Sequence, residues 1–200
     1  MYRVALILLV CTGLLLGSTT LEAKGGKGDR GRQQLVNRVL VGAGWQRDAV
    51  PVLNRSSYDR ASIEYAAQLW ATTSAPRLEV QHESPMLCSD MKPIRHAIIL
   101  CDAEHWTGPS ASSIAGFTAN YTQPKKRGKR ARSKTIQASV IWLYQPRWTD
   151  EAILRYVPSH ELGHALGLDE MHCRCVMTPI VSDIDVLGPE ERAAVNSIYS

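Results

Sequence analysis

The sequence predicts an α+β domain, and three features predict it: an amphipathic segment after Tyr58, a series of short apolar or alternating segments between Leu78 and Tyr144, and two helical segments that close the chain. The 200 residues are enough for one such domain with its own core, and an apolar share of 44% is ordinary for a globular protein. In YDRASIEYAAQLWATT, residues Ala61, Ile63, Tyr65, Ala66, Leu69 and Trp70 fall largely on one helical face, and Asp59 suits the positive end of that helix. Pro76 ends it.

Leu78 to His82 alternates like a half-buried strand, and His96 to Cys101 is an apolar run suited to a buried one. Ser113 to Thr122 and Thr135 to Tyr144 are rich in β-branched and aromatic residues and read as two strands joined by a long charged loop. Thr149 and Asp150 open a helix whose apolar positions Ile153, Leu154, Val157, Leu162 and Leu166 recur at helical spacing, with Pro158 expected to delay the regular turns to about Ser159. Gly188 to Tyr199 reads as a last helix with Pro189 near its first position.

At the N-terminus, Arg3 precedes an apolar run from Val4 to Leu16 that is short for a bilayer span and suits the core of a secretion signal. Cleavage after Ala23 would make residues 1–23 a signal peptide and leave a secreted chain with no transmembrane domain; an uncleaved anchor is the alternative. Residues 24–52 are expected to be a flexible segment, since 24–34 contain almost nothing apolar and Gly42, Gly44 and Pro51 interrupt residues 35–52. The mature chain keeps Cys88, Cys101, Cys173 and Cys175, which points to disulfides in an oxidising compartment. Cys88 with Cys101 would close a loop, whereas Cys173 with Cys175 needs a very tight ring, so crossed pairing between the two groups stays open.

The formal charge of +4 is concentrated in Pro124 to Lys134, which carries seven Lys or Arg and no acid; without those seven charges the chain stands at −3. The body is therefore not basic, no specific nucleic-acid partner is expected, and the segment itself is a candidate tether to polyanions. Asn54-Arg55-Ser56 and Asn120-Tyr121-Thr122 have the form of glycosylation acceptors.

The chemistry is concentrated in HELGH, residues 160–164. Positions four apart on a helix face the same way, so His160 and His164 can offer both imidazoles to one metal ion, for which zinc is the natural choice. Glu161 is then the candidate general base for a metal-activated water attacking an amide.

Extended through Gly167, the run HELGHALG resembles the signature of the metzincin zinc peptidases, matrixins and short bacterial members above all, and Cys175-Val176-Met177-Thr178-Pro179 resembles their Met-turn. The resemblance implies a zinc endopeptidase acting on peptide or protein substrates. It also implies a metzincin-like fold over residues 53–200: a twisted mixed sheet, an active-site helix, a Met-turn and a C-terminal helix. Met177 would form an apolar base beneath the ligands, and Thr178, Pro179 and Ile180 would line one wall of the substrate pocket.

The family's third ligand is usually His, three residues past the glycine, where this chain has Glu170; His172 lies two positions later, and Asp169 precedes. All three remain candidates, Glu170 and His172 before Asp169. Gly116 to Tyr121 is the strand nominated to offer its edge to an extended peptide. Two further readings stand beside the peptidase: a binding module without catalysis, and a zinc hydrolase of non-protein amides.

Overall fold

The computed structural model describes residues 35–36, 43–103, 115–122, 135–144 and 150–200. The expected signal peptide, residues 24–34, His105 and the basic segment Pro124 to Lys134 lie outside these described residues.

Along the described chain come β1 (Leu35–Val36), β2 (Ala49–Arg55), α1 (Arg60–Trp70), β3 (Arg77–His82), a 3₁₀ turn (Cys88–Asp90), β4 (Ile98–Asp102), β5 (Gly116–Thr122), β6 (Ile136–Leu143), α2 (Glu151–Ala165) and α3 (Pro189–Tyr199). One mixed sheet takes the order β1-β5-β6-β4-β2-β3. β3, β2, β4 and β6 run parallel, and β5 turns antiparallel to β6. Parallel strands need crossovers, and α1 supplies the one between β2 and β3.

β2 corrects the expected domain boundary. It begins at Ala49, and Ala43 and Trp45 before it are already buried, so residues 43–52 belong to the folded body and not to a flexible segment. Gly44 did not prevent this: it forms a bridge to Thr135, and a Cβ there would meet Ile198 at 2.7 Å. Pro51 is tolerated in a strand whose Val50, Val52 and Asn54 are buried and whose alternate residues are partly exposed.

The main core lies between the sheet and α1 and α2. Val50, Val52, Ile98, Leu100, Ile141 and Leu143 face Ile63, Ala66, Trp70, Val157 and Leu162. Asp59 caps α1 by accepting the Ser62 N–H at 2.7 Å, while Ala61 is exposed and Ala67 takes its expected place in the buried face. α2 begins at Glu151, capped by Asp150, and continues through Pro158 to Ala165. The expected delay does not occur: Pro158 costs the helix one N–H, but it lies in the buried half of α2, where tertiary packing holds the helical backbone despite that loss.

On the other face of the sheet, Cys88, Cys101 and Val140 form a smaller cluster with Met91, Tyr121 and Trp142. The disulfides join Cys88 to Cys101 and Cys173 to Cys175, so crossed pairing is ruled out in this structure. The reason is topological: Cys175 belongs to the main core and Cys101 to the cluster on the far side of the sheet.

Both glycosylation motifs hold buried asparagines. Asn54 is bonded to His82 and Ser56, and Asn120 donates to the His164 carbonyl at 2.7 Å, so neither amide is offered to solvent.

Candidate metal centre

Every residue from Tyr156 to Ala165 is buried, because this half of α2 is enclosed between the sheet and the segment after it. His160 and His164 project from one side, their Nε2 atoms 3.0 Å apart. The Nδ1 of His160 faces the Val176 carbonyl at 2.8 Å, and that of His164 faces the Leu168 carbonyl at 3.0 Å. A carbonyl only accepts, so each Nδ1 carries a proton, and each Nε2 presents a lone pair whenever its imidazole is neutral.

Glu170 completes the group, with Oε1 3.5 Å from both Nε2 atoms. Three electron-pair donors therefore converge, an arrangement that calls for a cation. Zinc bonds of about 2.0–2.1 Å place tetrahedral ligands a little over 3 Å apart, which these separations fit. Of the sequence candidates, only Glu170 joins the two histidines. His172 is exposed, and Asp169 turns outward to accept the Glu170 N–H at 2.9 Å. Gly167, at φ 99°, reverses the chain after α2; the Met171 N–H then reaches the Met177 carbonyl at 2.8 Å, closing a loop that carries Glu170 back to the imidazoles.

Electrostatics tie the group together. Burial disfavours the Glu170 carboxylate, yet the hydrogen bonds and charge of His160 and His164 outweigh it and bring its pKa down to about 2. Burial likewise opposes a proton on His164, but the Glu170 hydrogen bond, the Glu161 charge and the Leu168 carbonyl raise its pKa above the usual imidazole value.

Glu161 is buried against β5. The Thr118 hydroxyl donates to its Oε2 at 2.5 Å and lies 3.1 Å from its backbone carbonyl. A Cβ on Gly116 would come within 2.6 Å of Oε1, so only glycine leaves room for this carboxylate. Sequence reading missed the roles of Thr118, Gly116 and Asn120. The signal was there in the alternation of β5, which sends those three residues to the helix face.

No known family's sequence profile matches this chain, and no curated protein matches it. Among solved structures it is similar to an archaemetzincin from Archaeoglobus fulgidus, crystallised with malonate. That match has a TM-score of 0.42 and 16% identity, covering 73% of this chain and 99% of the other. So distant a likeness decides nothing about chemistry, which rests on the donor set itself.

Beneath the histidines, Met177 is fully buried, and a Cβ on Gly163 would overlap its Sδ and lie 2.7 Å from Trp70. Gly163 thus lets the Met-containing turn pack directly on α2. In front of the donors opens a cavity of 270 Å³ whose rim includes Gly116, Phe117, Tyr156, Pro179 and Val181.

Of the three residues expected along one wall, Pro179 is in the cavity lining, whereas Thr178 and Ile180 are not. Ile180 is 74% exposed, and both residues instead offer carbonyls to the Tyr156 hydroxyl, at 2.6 and 3.1 Å. The chain bends at Pro179 and Ile180, and Val181 takes the place in the lining expected of its neighbours. On the opposite rim, β1 pairs only with Asn120 and Tyr121 of β5. Among the described residues, no strand pairs with the outer edge of residues 116–119.

Proposed function

We propose that this chain is a secreted zinc-dependent endopeptidase. The observation that carries the proposal is the convergence of His160, His164 and Glu170 on one point, with Glu161 held beside them. His160 and His164 would hold zinc through Nε2 and Glu170 through a carboxylate oxygen, a donor set that leaves room for a further ligand. When bound, zinc would supply Lewis acidity to a peptide carbonyl and to water.

The chain's own residues do the rest. Glu161 takes a proton from the attacking water at Oε1, since Oε2 is engaged by Thr118, and returns it to the leaving amine nitrogen as the C–N bond breaks. The outer edge of residues 116–119, facing the cavity rim, suits an extended peptide that pairs as an added strand. A peptide or protein substrate is inferred from that edge. Secretion is supported by the apolar run Val4 to Leu16 and by two disulfides. The Pro124 to Lys134 segment is read as a tether to polyanions.

The test is Glu161→Gln. It should retain zinc by elemental analysis and unfold at the parent's temperature, yet cleave an unfolded protein substrate about a thousandfold more slowly or worse. Near-parental cleavage by that variant would refute the assignment.

A further inference from the structure

A second cleft, of 290 Å³, shares no lining residue with the metal pocket. It sits where β6 begins, lined by Trp45, Arg47, Arg95, His96, Thr135 and Gln137 among others. Residues 116–118, at the metal pocket, pair with the far end of β6, so the two sites are separated by roughly 20 Å of strand.

The lining contains no carboxylate. Among the described residues, neither Arg47 nor Arg95 forms an ion pair. Arg95 is oriented instead by donating its Nε to the Gln137 side chain at 3.3 Å, which leaves its terminal N–H groups for another acceptor. His96 stands beside them: desolvation and then the charges of Arg47 and Arg95 lower its pKa, so it meets a ligand as a neutral imidazole that can still donate an N–H.

The backbone at His96 is left-handed, φ 67°, the sole non-glycine residue of that kind among the described residues. Its N–H is tied to the Gln137 carbonyl at 2.5 Å. A non-glycine residue adopts this conformation at a cost, and such costs concentrate at ligand sites.

We propose that this cleft binds a tetrahedral oxyanion, phosphate or sulfate, through Arg47, Arg95 and His96. Planar guanidinium groups match such an anion with paired N–H donors, and the absence of an acid in the lining leaves their charge for the ligand.

The test is isothermal titration of the intact chain with inorganic phosphate and inorganic sulfate at constant ionic strength. One saturable site is expected, weakened about tenfold or more by Arg47→Ala and by Arg95→Ala. Both arginines are exposed, so the variants should unfold at the parent's temperature. His96→Asn, which accepts left-handed backbone readily, should keep the fold and also weaken binding. A chain with the seven basic residues of 124–134 replaced by Ser or Gly should bind as the parent does. A sulfated disaccharide then identifies the source: tighter binding than inorganic sulfate means a sugar-borne group, equal binding the free ion. The proposal falls if neither ion saturates, if the arginine variants bind like the parent, or if neutralising 124–134 alone abolishes binding.

Discussion

At the scale of single residues, the candidate for a third ligand separates what spacing can say from what geometry says. Glu170 and His172 are two positions apart in the chain, yet one faces the imidazoles and the other faces solvent. Glu170→Ala should lose zinc by a factor of 10 or more at equilibrium, while His172→Ala should hold it like the parent, as read by competition with a chelator. Equal retention by both would remove Glu170 from the site. Thr118 allows a finer test, since its hydroxyl is the group that holds Glu161 Oε2. Thr118→Val keeps the shape and removes the donor, so kcat should fall about tenfold with zinc content unchanged, and Thr118→Ser should restore most of it. Loss of zinc in the Val variant would mean that Thr118 supports the fold and not the base.

At the scale of elements, the junction between the Met-containing turn and α3 depends on Glu191, which is fully buried. Its Oε1 accepts the Met177 N–H at 2.8 Å and its Oε2 the Gly188 N–H at 2.7 Å, so one carboxylate ties the turn to the start of the helix. Glu191→Ala would leave both donors buried without partners and should destabilise the chain by about 1–3 kcal/mol for each. Burial raises the pKa of Glu191 despite the opposing backbone hydrogen bonds from Gly188, Met177 and Val176. A carboxyl raised in the folded state adds stability as pH falls through its folded pKa towards the unfolded value of about 4.3, and loses that increment as pH rises again. Denaturant unfolding of parent and Glu191→Ala across that window should therefore show the gap between them widening on acidification. A gap that narrowed would show that the charged form is the favoured one.

At the scale of the whole molecule, Trp45 joins the residues before β2 to α2: it is 4% exposed and its indole N–H donates to the Ala165 carbonyl at 2.9 Å. Nearby, Gly167 meets the Ala43 carbonyl where a Cβ would stand, so residues 43–45 pack against the turn that delivers Glu170. Trp45→Ala should cost about 3–5 kcal/mol in denaturant unfolding and lower zinc affinity with it. A variant that lost neither would place these residues outside the cooperative unit.

Much of this architecture was legible in the chain alone. Helical periodicity marked α1 and α2, the Gly188-Pro189 start marked α3, alternation, an apolar run and β-branched or aromatic content marked β3, β4, β5 and β6, and the four-residue spacing brought His160 and His164 to one side of a helix. These are local properties, determined by neighbours along the chain. What the tertiary structure alone decided depends on residues far apart in sequence. Glu170 is a ligand candidate because Gly167 and the closure between Met171 and Met177 return the loop to α2. Glu161 is held because β5 lies over it, and β2 is a strand because parallel neighbours on both sides satisfy a segment that Pro51 and the glycines just before it made look irregular. Spacing states which side chains a helix can present together; only long-range packing states what comes to meet them.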